Sequence, residues 1–298
     1  MNEEILNNIK VVKLLGSGKG KTLVILSAIH GNEVCGIKAF DKLIPKLKIK
    51  AGVVYFIYAN LEAIKRNRRF VEYNLNRAFL KELPDSIKDT LEGRTAREIM
   101  PYLERADMML DIHASNSKES IPFIICGQQS LELAQALPAQ VIAYNFDEFE
   151  PGSTDYFMNI QNKIGVGVEC GFLEDPESQR RAEEAIFSFL RFAGAINGEA
   201  KTYSDKTFYK IVKLYKNKLF SFKKSRDFSD FELLKKKTLI GKEGEKEIYA
   251  GQGEIVLFVR DRENIDGECF LVAKEVTREV LKQTVKYASG NTVQGSKK

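Results

Sequence analysis

The stretch Lys21-Thr-Leu-Val-Ile-Leu-Ser-Ala-Ile29, followed at once by His30-Gly31-Asn32-Glu33, decides how this chain is read. Its β-branched apolar run has the character of a buried strand, and it stops at a polar, glycine-containing turn delivered by the strand's C-terminal end. Over residues 33–47, Val34, Ile37, Ala39, Phe40, Leu43 and Ile44 recur at helical spacing, so the turn opens into an amphipathic helix.

Working outward, the same alternation returns. Residues 53–58 form a second apolar run ending at Ala59-Asn60, and residues 108–112 a third ending at His113, with a helical segment at 96–105 between them. Residues 121–126 and 164–168 add strands. Residues 175–195 predict a closing helix with Ala182, Ala185, Ile186, Phe189 and Leu190 on one face. Strands alternating with helices predict an α/β fold over residues 1–198, a mixed sheet flanked by helices. After Gly198 the pattern changes to short alternating segments (207–214, 218–222, 247–249, 254–259 and 268–273) between glycine and charged turns, which predicts a smaller C-terminal all-β domain over 199–288. The final residues 289–298, SGNTVQGSKK, are poor in apolar side chains and predict a disordered tail.

Composition narrows the function classes. A chain of 298 residues with 44% hydrophobic and 29% charged side chains has ordinary globular character, and no apolar run approaches the length of a membrane span. The N-terminus, MNEEILNNIK, carries acid where a secretory leader carries base, which predicts a cytoplasmic location. A net charge of +5 suits an anionic small molecule but falls short of a nucleic-acid-binding signature. The lysines concentrated in 201–237 read as a solvated face. Cys35, Cys126, Cys170 and Cys269 show no C-x-x-C pairing, which argues against a disulfide framework or a thiolate metal site and predicts reduced, buried thiols.

The chain has only two histidines, and each stands where an apolar run gives way to a loop with an acid at a chemically useful offset. Alone, a histidine at a strand end is a satisfied polar residue, and H-x-x-E is a weak pattern. Jointly they say more. His30 and Glu33 can turn toward one metal, and in Asp111-Ile-His113 the two-residue alternation puts the aspartate on the histidine's side of the strand, where it can fix the tautomer. Two histidines and one carboxylate leave a position open for water, the arrangement of a catalytic zinc site, so one Zn2+ per chain is expected. The arginine- and asparagine-rich strings Asn60-Leu-Glu-Ala-Ile-Lys-Arg-Asn-Arg-Arg69 and Tyr73-Asn-Leu-Asn76-Arg77 read alone as an exposed basic loop, but beside a metal they suit a carboxylate clamp. Glu169, in Gly165-Val-Gly-Val-Glu169-Cys-Gly171, ends an apolar strand between glycines, and near a metal it can move a proton as general base and acid.

In His30-Gly-Asn-Glu33, Asn76-Arg77, Asp111-Ile-His113 and Val168-Glu169-Cys170-Gly171, in that order, the chain resembles the succinylglutamate desuccinylase and aspartoacylase group, related in fold to zinc carboxypeptidases. The resemblance covers roughly the first two thirds of the chain. It implies that His30, Glu33 and His113 are zinc ligands and that Glu169 activates water. It also implies that Arg69 polarises the scissile carbonyl and steadies the oxyanion, and that Asn76 and Arg77 bind the substrate's α-carboxylate. The reaction implied is hydrolysis of an N-acyl amino acid or a similar small anionic amide by water activated at the metal, with no nucleic acid or membrane partner and a homo-oligomer left open. Two departures bear on substrate. The aspartoacylase type has a second arginine about ten residues before the catalytic glutamate, where this chain has Asn159, and Tyr249 is the nearest C-terminal counterpart of the family's substrate tyrosine. Competing readings are a zinc carboxypeptidase acting on a peptide and a non-catalytic zinc-fold binding protein; the intact Glu169 speaks against the latter.

Overall fold

The computed structural model describes residues 2–277. The predicted tail at 289–298 and the last part of the predicted 199–288 segment lie outside the described residues. Strands run β1 (Asn2–Leu6), β2 (Ile9–Leu15), β3 (Gly18–Ser27), β4 (Ala51–Tyr58), β5 (Met108–Ser115), β6 (Phe123–Cys126), β7 (Val141–Tyr144) and β8 (Ile164–Phe172). After them come β9 (Thr207–Lys216), β10 (Phe222–Lys224), β11 (Glu232–Leu233), β12 (Thr238–Glu243), β13 (Lys246–Ala250), β14 (Ile255–Leu257) and β15 (Glu268–Val276). The helices are α1 (Cys35–Leu43), α2 (Leu61–Lys65), α3 (Asp85–Lys88), α4 (Leu91–Arg105), α5 (Leu131–Ala136), α6 (Thr154–Asn159) and α7 (Glu177–Phe192).

The centre of the sheet is parallel: β4, β3, β5 and β8 lie side by side. Alternation along β3 sends Leu23 and Ile25 into a core with α1, α5 and α7, and Val24 and Leu26 into a second core with α4 and α6. Both faces are covered, which is why this strand reads as an unbroken apolar run. Each of these fully buried side chains contributes about 1.5–3 kcal/mol. The α/β prediction, a mixed sheet flanked by helices, is therefore the observed architecture. The C-terminal strands do not stand apart from it: β9 pairs in parallel with β7, and β15, β14 and β11 continue the same twelve-stranded sheet, while β10, β12 and β13 form a separate three-stranded sheet.

Three elements differ from their sequence reading. The first helix begins at Cys35 rather than at residue 33 and gives way to a 3₁₀ turn (Ile44–Lys46) at Pro45, which lacks the N–H a continued helix needs. Glu33 is thus in the turn, free of helical geometry. Strand β5 runs past residue 112, so His113 sits inside it. No strand forms at 218–221 because local hydrogen bonds compete for its backbone: Glu243 Oε1 accepts from the N–H groups of Lys218 and Leu219 at 2.7 and 2.6 Å, and Asn217 Nδ2 donates to the Phe220 carbonyl at 2.7 Å.

Candidate metal centre and active site

Beyond Ser27 the backbone leaves the sheet at Ala28, a buried non-glycine residue with φ of +57°, and so swings His30 above the ends of the parallel strands. A left-handed conformation at alanine costs on the order of 1 kcal/mol and marks a place where the surroundings dictate the turn. Gly31 follows because α2 lies against it: a Cβ there would meet the Ala63 carbonyl carbon at 2.3 Å. On the adjacent strands His113 and Glu169 are register partners, so both side chains leave the same face.

These constraints bring His30, Glu33 and His113 together, all buried, with their ligand atoms within 4.8 Å of one another. His30 Nδ1 lies 2.9 Å from Glu33 Oε1, and His113 Nδ1 lies 3.0 Å from Glu33 Oε2. The far ring nitrogens are held from behind: His30 Nε2 is 3.1 Å from Asn74 Oδ1, and His113 Nε2 is 3.0 Å from Asp111 Oδ2, as the strand alternation predicted for Asp111. Glu33 is further fixed by Arg69 Nη1 at 2.8 Å and the Ala114 N–H at 3.1 Å.

The donor set fits one divalent cation. Tetrahedral bonds of ~2.0–2.1 Å place ligand atoms about 3.3 Å apart, close to the 2.9 and 3.0 Å that separate the two Nδ1 atoms from the Glu33 carboxylate. His30 Nδ1, although near Glu33, is buried without a hydrogen bond, as an atom would be whose partner is a metal.

Charge is distributed accordingly. Burial, with the Arg69 guanidinium, pushes His30 down to about 4, so its ring is neutral. Burial also opposes a charge on His113, but the Asp111 and Glu33 carboxylates reverse that and hold it well above the ordinary histidine range. Glu33 stays well below the carboxylate range despite burial, because His30, His113 and Arg69 surround it. Glu169 goes the other way: burial, then the Glu33 carboxylate, raise it to about 8, and its Oε2 is shut from solvent without a partner among the described residues.

The cluster opens into a cavity of about 490 Å³ that Arg69, Asn76, Arg77 and Glu169 also line. Every predicted site residue except the supporting Asp111 reaches this wall. Two sequence readings of the periphery do not. Tyr249 sits on β13, half exposed, with its hydroxyl on Glu247 at 2.7 Å, because strand alternation faces it out of the three-stranded sheet. Asn159 turns from the cavity to donate to Asp147 at 2.8 Å and accept from Gln129 at 2.7 Å.

Other residues matter that the sequence did not single out. Asn74 holds His30, and buried Glu92 accepts the backbone N–H groups of Val71, Glu72 and Tyr73 at 2.7, 3.1 and 3.0 Å, pinning the loop that carries Arg69 to Arg77. Asn74 lies in the string already noted, but nothing in its spacing announced a partner 44 residues away. From the segment after β14 come Phe258 and Arg260, which line the cavity, and from β15 comes Glu268, which grips Arg77.

A model of the succinylglutamate desuccinylase/aspartoacylase catalytic domain matches residues 19–193. The chain belongs to this family. The N-alpha-acetyl-L-2,4-diaminobutyric acid deacetylase of Halomonas elongata is 26% identical over 66% of this chain and 62% of its own length. A probable aspartoacylase of Nostoc sp. is 25% identical over 59% of this chain and 65% of its own. The chain thus spans just under two thirds of these relatives. The succinylglutamate desuccinylase fold is shared over a greater length, since the Vibrio parahaemolyticus structure superposes with a TM-score of 0.73 at 17% identity, covering 93% of this chain and 91% of that one. The family match at residues 19–193 contains the whole donor set and Glu169, while Phe258, Arg260 and Glu268 lie beyond it. Among the described residues no helix is long and apolar enough to cross a membrane, and all four cysteines are free and buried.

Proposed function

We propose that this family member is a zinc-dependent deacylase that hydrolyses the amide bond of an N-acyl amino acid. One observation carries the reading: three buried donors suited to a single cation stand beside a carboxyl group, Glu169, whose Oε2 has no partner. His30 Nδ1, Glu33 and His113 Nδ1 would hold the ion. When bound, zinc supplies Lewis-acid activation of water and of the scissile carbonyl.

The protein's own groups supply the rest. Glu169 takes a proton from the attacking water and returns it to the departing amine, a transfer suited to a carboxyl whose affinity for protons is raised by burial and by the Glu33 carboxylate. Arg69 lines the cavity and is held by Glu33 beside the metal donors, from where its guanidinium would steady a developing oxyanion. Asp111 and Asn74 keep both imidazoles turned toward the centre. Family membership supports the deacylase assignment, and the relatives named above act on acylated amino acids by their names.

The test is turnover of N-acetyl and N-succinyl amino acids by zinc-loaded protein, with and without a chelator. Turnover that the chelator abolishes and zinc restores is expected, with kcat lowered roughly 10²–10⁴-fold by Glu169→Gln. A folded, zinc-loaded protein that leaves the whole panel intact, or a Glu169→Gln variant as active as the parent, refutes the proposal.

A further inference from the structure

The cavity wall carries a carboxyl group that the proposed reaction does not use. Asp155 lines the cavity with Ile125, Phe146 and Gly167, yet it is only 6% exposed. The strands beneath explain its position. Asp111 and Gly167 are register partners two residues before His113 and Glu169, so the four positions share one face of the sheet. Thr154 Oγ1 donates to Asp111 Oδ2 at 2.6 Å, which fixes the start of α6 with Asp155 next in the chain. That anchor lies one two-residue step, about 6.6 Å, along the strands from His113 and Glu169. Gly167 leaves room on the same face, since a Cβ there would meet Ile125 Cβ at 3.6 Å, an ordinary contact.

Within the protein the charge of Asp155 goes unanswered. Ser153 Oγ, which accepts from the Tyr156 N–H at 3.1 Å, lies 2.5 Å from Asp155 Oδ1 and occupies that oxygen. Among the described residues no side chain donates to Asp155 Oδ2, and no lysine or arginine forms an ion pair with Asp155 or with Asp147 nearby. Asp147 has the neutral amide of Asn159, at 2.8 Å. Burial, then the Asp147 carboxylate, push Asp155 up to about 7, and Asp111 adds to the repulsion. Other buried acids of the cavity are provided for: Glu33 holds Arg69 at 2.8 Å, Glu150 is ion-paired with Arg77 at 2.8 Å, and Asp230 accepts from the Phe258 N–H at 2.8 Å. Two buried carboxyl groups with no cation between them are costly, and a cation arriving from the cavity offsets that cost.

We infer that Asp155 sets substrate choice: its Oδ2 receives a side-chain ammonium, with Ile125 and Phe146 flanking the methylenes, so that the amide cleaved belongs to an N-acyl diamino acid. Glu169 returns its proton to the departing amine, which puts the amino-acid half of the substrate on the strand that carries Gly167. The clamp expected at Asn76 and Arg77 keeps the α-carboxylate. The inference rests on the deacylase reading, but the cation site can be tested apart from the reaction.

In turnover, Nα-acetyl-2,4-diaminobutyrate and Nα-acetylornithine are each compared with the isostere that ends in methyl, Nα-acetylnorvaline and Nα-acetylnorleucine. Zinc-loaded parent protein should favour the ammonium-bearing member of at least one pair by about 10–100-fold in kcat/KM. Asp155→Asn should bring that ratio close to one, and Asp155→Glu should keep part of it. A merely structural role for Asp155 lowers both members of a pair alike and leaves their ratio standing. In binding, calorimetry with the free amino acids, which undergo no reaction, should show the diamino acid held at least about 10-fold more tightly than its isostere by the parent, a margin that Asp155→Asn loses. A parent that binds with this margin but hydrolyses no N-acyl amino acid sinks the deacylase reading and upholds the cation site. The inference is overturned if the parent favours the ammonium in neither pair, a result that needs no variant, or if Asp155→Asn, folded by circular dichroism, keeps the parent's ratio.

Discussion

Replacing Glu92 by Gln asks whether one buried carboxylate holds the loop that carries Arg69, Asn74, Asn76 and Arg77. Glu92 is fully buried in the first turn of α4. Its Oε1 accepts from Val71 N at 2.7 Å and Asn60 Nδ2 at 3.3 Å, and its Oε2 from Glu72 N at 3.1 Å and Tyr73 N at 3.0 Å. Glutamine keeps one acceptor oxygen, so its NH2 must face one of these donor pairs. Asn60 cannot turn its own amide to help, because its Oδ1 already accepts from Asn8 Nδ2 at 2.9 Å. At about 1.5–3 kcal/mol for each charge-assisted bond, two are lost. The long Asn60 contact favours the lower end, about 3 kcal/mol, a large part of the ~5–15 kcal/mol that holds a domain together. Urea denaturation at unchanged m-value should report that loss. Because the same loop presents Arg69 to Glu33 and Asn74 to His30, kcat/KM should fall about 10–100-fold as well. A variant within about 1 kcal/mol of the parent refutes the energetic argument; one that is destabilised but fully active refutes the claim that Glu92 positions the site.

Two further outcomes are expected. Asn74→Ala frees the His30 ring and should weaken zinc binding about 10–100-fold in chelator competition, with global stability little changed. Lys206, its Nζ donating to the Leu137 carbonyl at 2.6 Å and also to that of Ala139, is pushed down to about 8 by burial. Its folded value lies below the ordinary 10.5, so the unfolded chain holds the extra proton between pH 8 and 10.5 and stability rises with pH across that window. The parent should gain roughly 2–3 kcal/mol there relative to Lys206→Met, read as the difference between two denaturation series.

What the sequence made legible follows the range of the interactions involved. The central strands announced themselves because both of their faces are apolar, and the two histidines because a chain with so few must place them deliberately or leave them inert. Asp111 was readable since strand alternation is a local rule. Asn74, Glu92 and Arg260 were not, because each acts on a partner distant in sequence: Asn74 on His30, Glu92 on residues 71–73, Arg260 on a cavity it shares with His30 and Arg69. Arg77 illustrates the converse. Its residue type and neighbours advertise a carboxylate binder and it lines the cavity, but its ion pairs with Glu150 and Glu268, more than 70 residues away, could not be read from the string it stands in. The C-terminal strands were seen as strands, but composition could not tell that β9 hydrogen-bonds to β7.

That parallel β7–β9 pairing governs how the molecule can be cut and how it matures on the ribosome. A chain stopped at residue 198 would retain all three metal donors, yet it would leave β7 with a bare row of N–H and C=O groups, an invitation to pair with a neighbouring copy. During synthesis the same vulnerability lasts until β9 emerges and zips onto β7, and the cavity wall bearing Arg260 is complete only when β15, synthesised later still, has paired with β9 and β14. The three candidate metal donors are therefore synthesised early in the life of the chain, and the cavity wall that bears Arg260 is closed last.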